Sequence, residues 1–354
     1  MIIEDEEAGG KGEFVLNIEG KRVMVTGGAG FIGSHLVEEY LKNNVERVVV
    51  YDDFSSGTME NLKHIKDDRL KIAKGSILDE DLLNRIVRDE KIDIIDHQAA
   101  ELEIYSGIKD VKRDARINIF GTINILNSAI KNNVKKVLFA SSGAVYGKAE
   151  TVPQSESHLP KPHWPYGVSK LSAERYCIQY NELYGLNVTA FRYSIVYGPR
   201  EWFGRVLTMF IKRIFLEGKP PVVFGDGMQI RDYVYVKDLV RAHMLAIEND
   251  KSCGQVFNIS SGRGIKIRDL ASLLLEISGK NLGIIFDNPR EGEASRHQPE
   301  RIRLPGELKT FVLDNKKART ILGWKPKTEL RDGLIEEINW ILENPWRWQV
   351  KPRV

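Results

Sequence analysis

Short apolar runs, each separated from the next by a helix-length amphipathic stretch, constrain this chain more than any other feature. "KRVMVTG" (21–27), "RVVVYD" (47–52), "LKIAKG" (70–75), "IDIIDH" (92–97), "KKVLFAS" (135–141) and "NVTAFRY" (187–193) read as strands, with helical patterns at 32–43, 79–90, 111–132 and 167–185. Strands that are apolar throughout, rather than alternating, must be covered on both faces. Strand–helix alternation of this kind therefore predicts an α/β chain built on a doubly wound parallel sheet. Beyond residue 195 the punctuation changes, with "GKPP", "GDG", "SGRG", "DNPREGE" and "LPGE" marking turns between shorter elements. Residues 21–194 are expected to form the main domain and 195–354 a smaller mixed α/β lobe, from which one segment can return to the main sheet. The opening "MIIEDEEAGGKGEF" is acidic and glycine-rich. It lacks the basic-then-apolar order of a signal peptide, so 1–20 read as a loosely ordered extension.

The first strand runs into "TGGAGFIG", with Gly27, Gly30 and Gly33 spaced G-x-x-G-x-x-G where a helix begins. Glycines here permit a tight turn and let backbone N–H groups approach a pyrophosphate at the positive end of the helix. The second strand ends in Asp52, at the separation expected of a carboxylate that holds the adenine ribose hydroxyls. That carboxylate would repel a 2′-phosphate and no arginine follows it, so the pattern favours NAD over NADP. The domain is then Rossmann-like. The alternative, a plain strand–helix turn beside a solvated aspartate, accounts for neither the spacing nor the context.

"PYGVSK" sets Tyr166 and Lys170 four residues apart, on one helix face. A phenol with a pKa near ~10 is a poor base at neutral pH. A neighbouring ammonium favours the phenolate by roughly 1–3 units, toward useful general-base chemistry. Taken alone, such a pair is an ordinary surface feature; beside a dinucleotide loop it reads as catalytic.

Bulk composition narrows the partners. Fifty-two basic and 49 acidic residues leave a net charge of +3, too balanced for a nucleic-acid or membrane-surface role. No apolar run approaches the ~18 residues of a membrane span. Two cysteines, Cys177 and Cys253, make neither a disulfide framework nor a zinc spacing, which fits a reducing, cytoplasmic setting. The histidines are scattered and no metal constellation is visible.

Taken together, the glycine loop, Asp52, "HQAA" (97–100), Asn118 in "NIFGT", "SSGAVYG" (141–147), "PYGVSK", "YGPR" (197–200), "GDGMQIRDYVYVKD" (225–238) and "LGWKP" resemble the extended short-chain dehydrogenase/reductases. More narrowly, they resemble the NAD-dependent nucleotide-sugar epimerases and dehydratases, over nearly the whole chain from Lys21 to Trp340. The resemblance implies that Tyr166 takes a proton from a sugar hydroxyl while hydride leaves the same carbon for NAD. It implies that Lys170 lowers the Tyr166 pKa and bonds the nicotinamide ribose, and that Ser142 hydrogen-bonds the reacting oxygen. Cofactor contacts are implied for Gly27, Gly30, Phe31, Ile32, Gly33, Asp52, Ser76, Ile77, Gln98, Ala99, Ala100, Asn118, Tyr166 and Lys170. Substrate contacts are implied for Glu101, Glu103, Ser142, Tyr193, Arg200, Arg231 and Arg290, with Arg231 and Arg290 clamping the nucleotide diphosphate. A homodimer through the helices around 111–132 and 167–185 is implied as well.

The departures from the family pattern are informative. Dehydratases of this family carry an Asp–Glu pair where Gly143 and Ala144 stand, and decarboxylases tend to carry a Glu at the second position. Both acids are missing, which points to C4 epimerisation through a transient 4-keto sugar; a close strand–helix contact would ask for small residues equally well. Glu101 and Glu103 stand in "ELEIY" where the family often has a serine. They offer either a substitute acid or helix-flanking charges; facing the sugar, Glu103 would repel a uronate. They also keep open a nucleotide-sugar 4-dehydrogenase or a dehydratase-like enzyme, and behind it a non-catalytic dinucleotide-binding protein. Ile195 replaces a substrate-contacting asparagine, and Ser76 replaces the aspartate expected at the adenine amino group. "SRHQPERIRLPGELK" (295–309) reads as a solvated loop, with a role in shaping the nucleotide pocket as the alternative. "NPWRWQVKPRV" at the end reads as packing against the C-terminal lobe, with a subunit contact as the alternative.

Overall fold

The computed structural model describes residues 16–201 and 204–349. Its main sheet is assembled from β1 (Arg22–Thr26), β2 (Arg47–Asp52), β3 (Leu70–Lys74), β4 (Ile94–His97), β5 (Lys136–Ser142) and β6 (Val188–Tyr193), the runs read from the sequence. With β10 (Gln255–Ile259) at one edge, the strand order is β10–β6–β5–β4–β1–β2–β3, and every neighbouring pair is parallel. The edge strand β10 comes from the second half of the chain and pairs with β6.

Helices α1 (Phe31–Lys42), α2 (Glu80–Asp89), α3 (Ile104–Lys109), α4 (Val111–Ala115), α5 (Gly121–Lys131) and α6 (Pro165–Tyr184) belong to this half. Val23 and Val25 of β1 enter one core cluster with Leu36, Val37 and Tyr40 of α1, while Met24 between them enters another with Leu83, Ile125 and Ala173. Both faces of the strand are thus buried, which is why its sequence does not alternate. Local chemistry sets the helix ends. Asp79 caps α2 through a 3.0 Å bond from the Leu82 N–H. Helix α6 opens on Pro165 and closes on Gly185 at φ +68°. Between α4 and α5, Arg116–Phe120 widen into a π-turn.

A second layer covers the C-terminal ends of the main strands. Strand β9 (Ile230–Tyr235) pairs with β7 (Ile195–Tyr197), β11 (Gly264–Lys266) and β13 (Thr310–Phe311), and β8 (Val222–Phe224) pairs with β12 (Ile285–Asp287). Helices α7 (Val206–Ile211), α8 (Val236–Ile247), α9 (Ile267–Ser278), α10 (Lys316–Leu322) and α11 (Leu330–Glu343) complete it. Helix α8 packs on α1 against the main sheet, and α10 packs on β10. The "LGWKP" turn is fixed on α8: Trp324 Nε1 donates to the Asp238 carbonyl at 2.8 Å, and the Asp238 carboxylate accepts the Lys327 and Thr328 N–H groups.

Of the segment expected to be loosely ordered, residues 1–15 lie outside the described residues, and Leu16 and Ile18 are buried in the core. At the other end Trp346 packs edge-on against Trp340 of α11. Among the described residues no helix is long and apolar enough to cross a membrane, and no group of side chains could hold a metal ion.

Candidate active site

Strand order reverses between β1 and β4, so the connections leaving their ends diverge and open a crevice. A cavity of about 1240 Å³ occupies it. Gly27, Gly30, Phe31, Ile32, Gly33, Asp52, Ser76, Ile77, Gln98, Ala99 and Ala100 line one end; Ser142, Tyr166, Lys170, Tyr193, Glu101 and Glu103 line the middle. The glycine loop has no room for side chains. Gly27 holds φ +66°, and a Cβ on it would fall 2.8 Å from the Ala99 nitrogen; one on Gly33 would fall 2.2 Å from the Gly27 carbonyl oxygen. Asp52 is braced by the Ala29 and Phe54 N–H groups at 2.9 and 2.8 Å. Burial raises its pKa, while those two bonds act in the opposite sense. A wall of glycines at the start of a helix, ending in a fixed carboxylate, has the chemistry that a dinucleotide and its ribose require.

Strand β5 delivers the two serines to different tasks. Ser141 turns back into the protein and donates to Glu174 at 2.6 Å. Glu174 also pairs with Arg192, whose guanidinium donates to the Tyr146 hydroxyl at 2.8 Å; that hydroxyl donates in turn to Asn258 at 2.7 Å. This buried chain ties β5, α6, β6 and β10 together and fixes the strand end. Ser142 faces the cavity and accepts the Ala144 N–H at 3.1 Å. Gly143 is pressed by the second layer: a Cβ there would lie 2.5 Å from Phe311 Cζ and 3.0 Å from Leu313. Close packing therefore favours glycine at this position, since any side chain there has to displace the Phe311 ring. Ala144 lines the cavity.

Burial raises the Tyr166 pKa; a hydrogen bond with Ser142 and the charge of Arg205 lower it, and Asp114 and Glu103 raise it. Lys170 is buried with its ammonium 4.9 Å from the Phe139 ring centre, and burial brings it down to about 8. His97, at the end of β4, bonds Thr26 and Thr122 behind the cavity wall; burial first, then Lys170, pushes it down to about 3.

Some expected positions lie elsewhere. Asn118 does not line the cavity. From the π-turn it accepts the Glu101 N–H at 2.9 Å and donates to the Glu101 carbonyl, Asp114 and Ser169, latching the loop after β4 to α6. Arg200 turns away, at φ +71°, to pair with Glu38 at 2.9 Å and His35 at 3.0 Å on α1. Arg290 is exposed outside the cavity, where its N–H bonds the Glu293 carboxylate. The chain loops out beyond it and re-enters with Arg301 and Arg303, which line the cavity together with Glu307. Within 295–309, residues 300–304, 307 and 308 thus form a pocket wall, while Arg296, His297, Pro299 and Lys309 are exposed. Arg231 does line the cavity; it donates to the Leu308 carbonyl at 2.8 Å and lies 3.4 Å from Glu307. Glu101 pairs with Arg113 at 3.0 Å, and Glu103 stands at the start of α3. Arg205, Glu201 and Arg347 also line the cavity and were not anticipated; nothing in their local sequence marks them.

A doubly wound dinucleotide-type sheet with a serine, a tyrosine and a lysine at the cavity centre defines an extended short-chain dehydrogenase/reductase. Residues 24–337 match the family model described as GDP-mannose 4,6 dehydratase, and the chain belongs to this family of nucleotide-sugar enzymes. It is 36% identical over 326 residues to a putative UDP-glucose 4-epimerase of Methanocaldococcus jannaschii, spanning 91% of this chain and 99% of that one. Among solved structures, the UDP-glucose 4-epimerase of Thermotoga maritima with UDP-glucose superposes with a TM-score of 0.82 at 37% identity, covering 92% and 99% of the two chains. The dTDP-glucose 4,6-dehydratase of Streptomyces venezuelae with NAD bound superposes with a TM-score of 0.82 at 29% identity, covering 92% and 98%. Relatives on both sides of the epimerase–dehydratase divide are enzymes.

Proposed function

We propose that this protein is an NAD-dependent nucleotide-sugar epimerase acting at C4, with UDP-sugars as its substrates. The observation that carries the reading is the Ser142–Gly143–Ala144 tip beside Tyr166: the hydroxyl and the phenol are present, and the packing of Phe311 disfavours any side chain at position 143. Dehydration at C6 needs a proton donor next to the leaving hydroxyl, and this tip supplies none. The relatives that bind or act on UDP-glucose support the choice of nucleotide.

The glycine-loop end of the cavity suits NAD, with Asp52 set for the adenine ribose and Lys170 for the nicotinamide ribose. Bound there, NAD supplies the acceptor for hydride from C4 and its return to the opposite face. Tyr166 takes the C4 hydroxyl proton and gives it back; the Ser142 hydroxyl holds the same oxygen and steadies the phenolate. Arg231 and Arg303, both set against Glu307, suit the diphosphate, because a guanidinium fork matches phosphate oxygens. A homodimer through α5 and α6 is part of this reading; Phe120, Leu183 and Tyr184 leave large apolar surfaces exposed there, and light scattering at twice the chain mass tests it.

The test is a panel of UDP-, GDP-, CDP- and dTDP-sugars followed by NMR, with mass spectrometry of the cofactor released on denaturation. The reading expects a C4-epimeric UDP-sugar with NAD retained. Release of NADP, or turnover only of another nucleotide, overturns those parts of it.

A further inference from the structure

A buried carboxylate stands in the middle of the main sheet and takes no part in the chemistry described above. Asp96 interrupts the apolar run of β4, between Ile95 and His97, and is wholly buried. Its register partners are Val25 of β1 and Leu138 of β5. A charge in that position is costly unless donors surround it. The Tyr40 hydroxyl of α1 and the Gln98 side-chain amide each donate to it at 2.6 Å, and Nδ1 of His243, on α8, lies 2.8 Å away. His243 is as buried as Asp96, and its ring centre is 4.5 Å from that of Phe191. Nε2, on the far side of the imidazole, lies 2.7 Å from the Tyr193 hydroxyl.

Tyr193 carries this chain of bonds to the cavity. It lines the cavity wall, and its register partner in β5 is Ser142, so the two side chains stand on the same face of the sheet. The carboxylate sets the direction of the bonds. Ionised Asp96 only accepts, so His243 Nδ1 carries the hydrogen; in the neutral ring Nε2 is then the acceptor and Tyr193 the donor. The phenol oxygen also takes a 3.2 Å bond from the Gln98 amide. Burial, and then the Asp96 charge, raise the Tyr193 pKa and keep the phenol protonated. The Tyr193 hydroxyl is thus engaged inside the protein, and the side chain offers the cavity its ring.

The reaction gives that arrangement a purpose. A 4-keto sugar that takes hydride back on its other face must turn between the two transfers. A hydroxyl directed at the sugar would hold it in one orientation, whereas an aromatic face lets it move. A buried hydroxyl without a partner is costly, so a phenol released by His243 swings toward the polar space it adjoins, which is the cavity. We infer that Asp96 and His243 are positioning residues that hold the Tyr193 hydroxyl away from the sugar and so leave the 4-keto intermediate free to turn. This rests on the epimerase reading above and deepens it.

Two measurements test it. In wild-type protein with histidines labelled by heavy nitrogen, the NMR signals of the His243 ring, assigned by their loss in His243→Gln, are expected to show hydrogen on Nδ1 alone. Hydrogen on Nε2 would free the Tyr193 proton for the cavity and overturn the inference; this readout needs no turnover. Kinetics with UDP-glucose and UDP-galactose then compare wild type, His243→Leu, Tyr193→Phe and the two substitutions combined. A new ground-state hydrogen bond lowers kcat and KM together, so His243→Leu is expected to reduce each roughly 3- to 10-fold. With Tyr193→Phe already in place, His243→Leu should change kcat less than about twofold, because no hydroxyl is left to release. A fall in kcat at constant KM, equal in both backgrounds, means that His243 only supports the fold and overturns the inference. Asp96→Asn is the milder variant should His243→Leu fail to fold: its amide can donate to Nδ1, which turns Nε2 into the donor and releases the Tyr193 proton, and the same joint fall is expected. If the wild type epimerises no UDP-sugar, the epimerase reading fails. The NMR result, with calorimetry of UDP-glucose against UDP in Asp96→Asn, then still decides where the hydroxyl points: tighter binding of the sugar alone supports the inference, and unchanged binding overturns it.

Discussion

Tyr166 sits where burial makes a phenol hold its proton, with the Ser142 hydroxyl and Arg205 acting against that burial. The catalytic base is the deprotonated form, so activity rises with pH. Removing a group that lowers the pKa must move that rise to higher pH; Ser142→Ala is expected to shift the ascending limb of kcat upward as well as to lower its plateau. Tyr166→Phe is expected to lower kcat by about 10²–10⁴-fold while leaving UDP binding intact; full activity in that variant would end the mechanism. At this scale the sequence was readable where a residue's role is set by its neighbours in the chain, as with Asp52 closing β2 or Tyr166 and Lys170 on one helix face. It was not readable where a distant partner decides. Nothing near Arg200 announces that His35 and Glu38 of α1 draw it away.

Among the elements, the tip of β5 depends on β13. Gly143 and Phe311 come together only because residues 303–311 run back under the cavity, and no local pattern foretells that contact. Gly143→Ala is expected to cost about 1–3 kcal/mol in denaturant unfolding through overpacking. In a Phe311→Ala background it should cost markedly less, a coupling that a double-mutant cycle measures. Equal costs in both backgrounds would mean that Phe311 is not what closes position 143. The same return explains why part of 295–309 lines the pocket instead of forming a solvated loop throughout. Its charged composition is that of a surface loop, but Arg301 is laid on Phe224 and Arg303 beside Glu307 by a second layer that the sequence shows only as scattered turns. The strands and helices of the main sheet were far more legible, because burial on both faces writes a continuous apolar run for each strand.

For the whole molecule, strand–helix alternation was enough to indicate a parallel sheet with a crevice at its reversal, but not that 255–259 supply an edge strand. Folding also fixes charge states. His35 and His97 are held near 3 by burial, whereas an unfolded histidine titrates near ~6.5. Between those values only the unfolded chain binds the protons, so this share of the stability is complete above about pH 6.5 and is lost as pH falls. Buried Glu201 and Asp232, raised to about 7 and about 6, act in the opposite sense over the same interval, so the histidine share is read by difference: the Tm advantage of the wild type over a His35→Gln, His97→Gln variant should shrink from pH 7 to pH 5, and an advantage that grows over that interval would contradict the burial of both rings. The central claim, C4 epimerisation without net redox, is tested most directly by proton NMR of a UDP-sugar turnover in D₂O with absorbance at 340 nm recorded alongside. The account predicts a C4 epimer that keeps protium at C4 and C5, with no accumulation at 340 nm. A new C6 methyl signal with deuterium at C5, or NADH formed in proportion to product, would contradict it.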